Sequence, residues 1–194
     1  MSEPTLLLIR HAESSWNAAG RWQGHGDPRL SDRGIAQAHA LASELAREQL
    51  DVIVSSDLRR AAETAAILAQ ARGLRPLLNP RLRELDLGNW QGLTREQIER
   101  ADAAVLQRFV AGDLDVRPGG GENLREIEQR ARSAVTELVR AHPGRRLALV
   151  THLGVIRALS SGVGLGNACW RRCASAEMVD AVRAGETESR RSPG

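Results

Sequence analysis

The stretch LLLIRHAESSWN, residues Leu6 to Asn17, decides the fold of this chain. Its apolar run from Leu6 to Ile9 has the length and the polar boundaries of a buried strand, and it ends abruptly at Arg10 and His11. In open α/β sheets, ligands bind beyond the carboxyl ends of the strands. The stretch therefore places a cation and a nitrogen nucleophile where a ligand would bind, although a strand that runs into a polar loop explains this pair more simply when it is taken alone.

A second segment repeats this arrangement near the other end of the chain. The segment LALVTHLGVIRAL, residues Leu147 to Leu159, is an apolar strand that ends in His152, and Gly154 and a helix follow it. Two strands that both end in His are improbable as a pair of accidents. The repetition favours one site that uses both strand ends.

Strand and helix patterns alternate along the chain. Further short strands are predicted at Val52 to Val54, Pro76 to Asn79 and Arg146 to Val150. Amphipathic helices are predicted at residues 32–49, 58–71, 94–109, 153–161 and after the Gly-rich turn at 118–121. This alternation predicts an α/β fold, a three-layer sandwich with a mostly parallel central sheet flanked by helices.

The ends of the helices carry capping signals. We expect Ser31 or Asp32 to cap the first long helix, and Ser56 or Asp57 to cap the next one. The length of 194 residues fits a single domain. We place that domain at residues 1–182 and a flexible polar tail at residues 183–194.

Composition and charge narrow the classes of function. All 27 basic residues are Arg, and they are scattered among 24 acids to give a net charge of +3. This dispersion argues against a nucleic-acid-binding surface and favours a small anionic substrate. The two cysteines, Cys169 and Cys173, fit a reduced compartment, and the chain has neither a secretory signal nor a membrane-spanning apolar run, so we expect a cytoplasmic protein without a membrane partner.

Two further motifs hold charged residues beside predicted element ends. In SSDLRRAAETA, Arg59 and Arg60 lie in the first turn of a helix, where a bound dianion would offset their repulsion from the helix dipole. In LRELDLGNWQG, Glu84 precedes a Gly-containing loop, where a carboxyl can serve as a general acid. Taken alone, the Arg pair is better explained as a solvated surface pair, and an ordinary ion pair of Glu84 with a neighbouring Arg is a strong alternative explanation for the second motif.

Taken together, these segments resemble the histidine phosphatase superfamily, in its phosphoglycerate mutase-like branch. Five motifs match in order and spacing from Leu6 to about Leu159: LLLIRHAESSWN, RWQGHGDPRLSDRG, SSDLRRAAETA, LRELDLGNWQG and VTHLGVIRAL. The compact region between Glu84 and His152 is similar to that of the shorter phosphatases, such as α-ribazole phosphatase and broad-specificity phosphatases. The resemblance implies a phosphoglycerate mutase-like sandwich.

The resemblance also implies the roles of particular residues. It makes His11 the nucleophile that accepts the phosphoryl group, Glu84 the proton donor and His152 the third catalytic residue. It assigns the phosphate to Arg10, Asn17 and Arg60. It further implies contacts of the substrate with Gln23, Gly24 and Leu153. Because guanidinium groups supply the positive charge, we expect neither a metal ion nor a cofactor.

The chain departs from the family pattern at three places. Ala12 stands where Gly is usual after the nucleophile, and Leu153 adds bulk beside His152, which narrows the pocket or shifts its loop. After about Gly162 the resemblance fades, so the sequence leaves the presence of the family's last strand open. We expect His25 to be a solvated loop residue.

The resemblance predicts a metal-independent phosphomonoester hydrolase that acts through a phosphohistidine on a small phosphorylated metabolite. Two alternatives stay open at this point. One is a cofactor-dependent phosphoglycerate mutase, for which the region between the proton donor and the second His is short. The other is a catalytically inactive relative that binds a phosphorylated ligand or a protein. The sequence also leaves a monomer or a homodimer open.

Overall fold

A five-stranded sheet forms the centre of the molecule in the computed structural model, which describes residues 5–160 and 162–174. Its strands are β1 (Thr5–Arg10), β2 (Val52–Ser55), β3 (Leu77–Leu78), β4 (Leu147–Thr151) and β5 (Trp170–Ala174). They lie in the order β3-β2-β4-β1-β5, and only β5 runs antiparallel to its neighbour.

Helices connect the strands. They are α1 (Ser15–Ala18), α2 (Asp32–Glu44), α3 (Arg59–Gln70), α4 (Arg95–Val110), α5 (Leu124–Ala141) and α6 (Leu153–Leu159). Short 3-10 turns occur at Leu45–Arg47, Pro80–Leu82, Gly88–Trp90 and Pro118–Gly120. Among the described helices, none combines the length and the apolar character that a membrane crossing needs.

The central strands of the sheet are buried on both faces, because successive side chains of a strand point to opposite faces and helices cover both. Leu6 and Leu8 pack on one face with apolar residues of α5 and α6, whereas Leu7 and Ile9 pack on the other face with α2 and α3. Every residue of β4 is buried. The predicted three-layer sandwich with a mostly parallel sheet is therefore confirmed.

The pairing of β1 with β4 determines where the two histidines that follow these strands lie. The two strands pair in parallel with Arg10 opposite Thr151, and the backbone N–H of His11 donates to the Thr151 carbonyl at 2.9 Å. The residues that follow the two strands, His11 and His152, consequently lie side by side at the carboxyl edge of the sheet.

The structure corrects the sequence predictions at several element ends. The last strand, which the sequence left open, is present as β5 at the edge beside β1. The N-cap of α3 is Leu58 rather than Ser56 or Asp57, because those two side chains bind His152 and Arg83 instead. Ser31 does cap α2. The predicted tail at residues 183–194 and the end of the predicted domain, residues 175–182, lie outside the described residues.

Candidate active site

The His11 ring is held in one tautomer at the end of β1. Its Nδ1 lies 2.7 Å from the Ala12 carbonyl, which can only accept, so Nδ1 carries the proton and Nε2 keeps a free lone pair. The side chain is 2% exposed. Burial, together with the charges of Arg60 and Arg10, lowers the pKa of His11 well below its usual range, so the neutral, nucleophilic form is favoured.

His152 lies against His11, with ring centroids 5.0 Å apart. It is fully buried, and its Nε2 lies 2.8 Å from Ser56 Oγ. Its Nδ1 is buried without a hydrogen-bond partner among the described residues. Burial and the charge of Arg60 lower the pKa of His152 well below its usual range, so a neutral ring faces the site in the free protein.

Arg60 is the largest fully buried side chain in the described part of the chain. Its two terminal nitrogens donate to the carbonyls of Gly26 at 2.7 Å and Gly24 at 2.8 Å, while its Nε has no partner within the described ranges. Burial lowers the pKa of Arg60 to about 10, which leaves it charged at neutral pH. A buried guanidinium that is bound only to carbonyls keeps its full charge for an anion.

Arg10 and Asn17 complete the inner wall of the cavity. Nη1 of Arg10 donates to the Leu165 carbonyl at 2.7 Å, and its buried Nε has no described partner. Asn17 accepts at Oδ1 from the Ser14 backbone at 3.1 Å, an arrangement that fixes its amide group within the α1 capping box. Both residues line the same cavity as His11 and Arg60.

The Glu84 carboxylate lies across this cavity. Its Oε1 accepts from the backbone N–H groups of Leu85 at 2.9 Å and Gly154 at 3.0 Å. A side chain at Gly154 would meet the carboxylate, because a Cβ there would lie 2.2 Å from Oε1. The glycine that follows Leu153 thus leaves space for Glu84 and provides one of its hydrogen bonds.

The residues predicted to touch the rest of the substrate also lie at the cavity. Gln23 accepts from Ser14 Oγ at 2.7 Å, and the Gly24 carbonyl holds Arg60. Leu153 is half-buried and lines the cavity beside Gly154. All nine predicted site residues therefore lie at or directly beside one cavity, His152 behind its wall against His11.

Two residues at the site were not predicted from the sequence. His25, expected to be a solvated loop residue, is half-buried and donates from Nε2 to the Glu84 carbonyl at 2.9 Å. Arg130 of α5 donates to the same carbonyl at 2.7 Å. His25 lies inside the quoted motif RWQGHGDPRLSDRG, whereas Arg130 lies outside all five motifs, and a backbone carbonyl acceptor leaves no trace in the sequence.

The cavity extends well beyond the phosphate-sized inner end and has a volume of about 1020 Å³. Apolar side chains form one outer wall: Trp22, Leu87, Phe109, Val110, Leu114 and Leu124. Arginines form much of the rest: Arg21, Arg95, Arg132 and Arg157. Of the six arginines that line the cavity, only Arg132 makes an ion pair with a described carboxylate, that of Glu128. Within residues 5–160 and 162–174, no three His, Cys, Asp or Glu side chains are grouped as metal ligands would be.

Comparison with known proteins agrees with this geometry. A sequence model of the histidine phosphatase superfamily (branch 1) matches residues 6–177. The chain belongs to this superfamily. Phosphoserine phosphatase 1 of Hydrogenobacter thermophilus is 40% identical over 154 residues, which cover 79% of this chain and 73% of that protein. The metal-independent phosphoserine phosphatase of Arabidopsis thaliana is 36% identical over 79% of this chain and 66% of its own length.

A solved structure supports the same assignment. The mycobacterial glucosyl-3-phosphoglycerate phosphatase in complex with VO3 superposes with a TM-score of 0.81 and 39% identity, over 87% of this chain and 92% of that one. The chain is a phosphatase of the histidine phosphatase type, as the sequence predicted.

Proposed function

We propose that this chain hydrolyses phosphomonoesters of small metabolites through a phosphohistidine formed at Nε2 of His11. One observation carries the proposal: the Ala12 carbonyl fixes the proton on Nδ1, and the two guanidiniums of Arg10 and Arg60 disfavour a second proton. Nε2 is thereby kept as a nucleophile next to the charges that would hold a phosphate.

The reaction proceeds in two steps. The Nε2 lone pair attacks phosphorus, the bond to the leaving oxygen breaks, and Glu84 transfers a proton to that oxygen. Glu84, now ionised, accepts a proton from water as the water attacks the phosphohistidine. The P–N bond breaks, inorganic phosphate leaves, and His11 regains its neutral form.

Charge stabilisation comes from side chains rather than from a metal ion. Negative charge builds on the equatorial oxygens of the transferred group, and Arg10, Arg60 and Asn17 surround the place where they would lie. Nδ1 of His152 is a further buried nitrogen beside the nucleophile, and it can donate when Ser56 Oγ donates to Nε2. In a buried site such fixed donors act strongly on charge that develops during the reaction.

The substrate carries a second negative charge on its leaving group. This part of the proposal is supported by the outer cavity, where Arg21, Arg95 and Arg157 have no ion pair with the described carboxylates. The apolar wall around Phe109 supports a leaving group that also has a nonpolar portion. The cytoplasm is the proposed compartment, because a chain of this length with only two cysteines fits a reducing environment.

Hydrolysis of p-nitrophenyl phosphate in the presence of a metal chelator tests the proposal. The parent should be active, and His11→Ala should lose activity by about 10⁴-fold or more, because the nucleophile is removed. His39→Ala, a change at an exposed helix residue, is the matched control and should keep the parent rate. Equal rates for His11→Ala and the parent, or activity only with Mg²⁺, would refute the mechanism.

Transfer to water must also be separated from transfer to a second hydroxyl group. The parent is supplied with 3-phosphoglycerate and a bisphosphoglycerate primer, and both products are measured. Free phosphate is the expected product. Formation of 2-phosphoglycerate in its place would favour a mutase.

A further inference from the structure

A single guanidinium holds the backbone around the proton donor. Nη1 of Arg130 donates to the carbonyls of Arg81 at 2.9 Å and Arg83 at 2.7 Å, and its Nη2 donates to the Glu84 carbonyl at 2.7 Å. The side chain of Arg130 is 19% exposed, so these hydrogen bonds are largely shielded from water. Three carbonyls of the segment that ends in Glu84 are thus bound to one rigid group on α5.

An ion pair orients this guanidinium. Glu122 accepts from Arg130 Nε at 2.6 Å and from its Nη2 at 2.7 Å, which is the two-point geometry that fixes an Arg fork in its plane. The same carboxylate accepts from the backbone N–H of Asp86 at 3.2 Å. The Arg130–Glu122 pair therefore contacts the backbone on both sides of Glu84.

The position of the Glu84 carboxylate depends on the position of this backbone. Its bond to the Gly154 N–H is 3.0 Å long, and there is no spare room there, as the 2.2 Å approach of a Cβ at Gly154 shows. A small shift of the segment would move the carboxylate away from the leaving oxygen. Misplacement of a reacting group by about 1 Å can cost on the order of 10²-fold in rate.

We infer that Arg130, oriented by Glu122, is a positioning residue for proton donation by Glu84. The inference rests on the proposed function, in which Glu84 protonates the leaving oxygen. It has a particular consequence for the first step: loss of Arg130 slows this step for esters whose leaving group needs a proton and spares it for esters whose leaving group departs as a stable anion. A residue that only supported the fold would affect both kinds of ester alike.

The test compares an alkyl phosphate, such as glycerol 3-phosphate, with p-nitrophenyl phosphate. In Arg130→Gln and Arg130→Lys, kcat/KM, which reports the first step, should fall about 10- to 100-fold for the alkyl ester and less than about 3-fold for p-nitrophenyl phosphate. Arg81→Gln is the matched control, because Arg81 also links this segment to α5, through an exposed ion pair with Glu137. It should leave the ratio of the two rates at the parent value.

Two further variants keep the inference falsifiable if Arg130→Gln does not fold. Glu122→Gln removes the charge that orients the guanidinium and should shift the ratio in the same direction. In a Glu84→Gln background, Arg130→Lys should have no additional effect on the alkyl ester, because its action passes through Glu84. An equal loss for both esters, or an additive loss in the double variant, would overturn the inference, while the His11→Ala result would still decide the proposed function.

Discussion

The inner and outer ends of the cavity are built in opposite ways. At the inner end, His11, Arg60 and His152 are each no more than 2% exposed, and each is tied to a neighbouring backbone or side-chain group. At the outer end, Arg21, Arg95 and Arg157 are exposed and carry no ion pair within the described part of the chain. Under the proposed function, the reaction takes place at the preorganised inner end, whereas the exposed charges of the outer end govern the choice of substrate.

This difference has an electrostatic consequence. Charges at the buried end act through a low effective dielectric constant, while charges at the open end are screened by water and salt. Changes at the inner end should therefore reduce the rate with every substrate. Changes at the outer end should alter the preference among substrates by a smaller amount, and salt should weaken their effect.

The largest effect is expected at Arg60. Arg60→Ala removes a buried charge from the phosphate and leaves the Gly24 and Gly26 carbonyls unbonded, so kcat/KM for p-nitrophenyl phosphate should fall by about 10³-fold or more. Arg59→Ala is the matched control, since the Arg59 side chain is exposed and forms an ion pair with Glu63 on the surface of the same helix. A similar loss of kcat/KM in both variants would show that the buried arginine contributes no more to the rate than an exposed one.

A smaller effect, dependent on substrate, is expected at Arg157. Phosphoserine and phosphoethanolamine differ by one carboxylate, and the parent should prefer phosphoserine in kcat/KM. A hydrogen bond to a charged group contributes about 1.5–3 kcal/mol, so Arg157→Gln should reduce this preference about 10-fold or more. Arg140→Gln, a change at an exposed residue outside the cavity, should keep it. If Arg157→Gln keeps the parent's preference for phosphoserine over phosphoethanolamine, Arg157 does not recognise the charge of the leaving group.

A third effect concerns stability at acidic pH. Burial, followed by nearby positive charge, lowers the pKa of both His11 and His152, so below about pH 6.5 the unfolded chain binds protons that the folded chain does not. The free energy of unfolding should therefore fall with pH below that point, by up to about 1.4 kcal/mol per pH unit for each His.

Urea unfolding in phosphate-free buffer between about pH 7 and pH 5 measures this slope. His152→Gln should reduce the slope by the contribution of one His. A parent whose stability does not change over this interval would mean that the inner histidines are hydrated, and the contrast between the two ends would lose its basis.

Sequence reasoning reached most of the fold and the inner end of the site. The strands that end in Arg10 and Thr151 are continuous apolar runs, and the residues that follow them carry distinctive chemistry. Such runs can be recognised in the sequence because a strand that is buried on both faces has to be apolar. The capping boxes of α4 and α5 are likewise built from residues that are close together in the chain.

The sequence could not predict features that depend on distant partners. Ser56 and Asp57 have the residue types of helix caps, but His152 and Arg83 engage their side chains. Arg130 binds backbone carbonyls that lie 46 to 49 residues away in the chain. Every residue has a backbone carbonyl, so no sequence motif predicts which carbonyls Arg130 will bind.

The sequence left the presence of strand β5 open for a different reason. It is an edge strand with two consecutive arginines, Arg171 and Arg172. Because of these charges, the segment lacks the apolar pattern that predicts a strand. Trp170 and Cys173 pack against the cores on opposite faces of the sheet. Short edge strands commonly carry such charges, which discourage pairing with other chains.

Trapping the covalent intermediate tests the central claim most directly. Glu84→Gln is mixed with p-nitrophenyl phosphate, whose leaving group needs no proton, so that the first step proceeds while hydrolysis of the intermediate is slowed. After an alkaline quench, which preserves phosphohistidine, mass spectrometry should find about one phosphoryl group per chain on His11. The absence of phosphorylated His11 during turnover, or a phosphoryl group on another residue, would contradict the account.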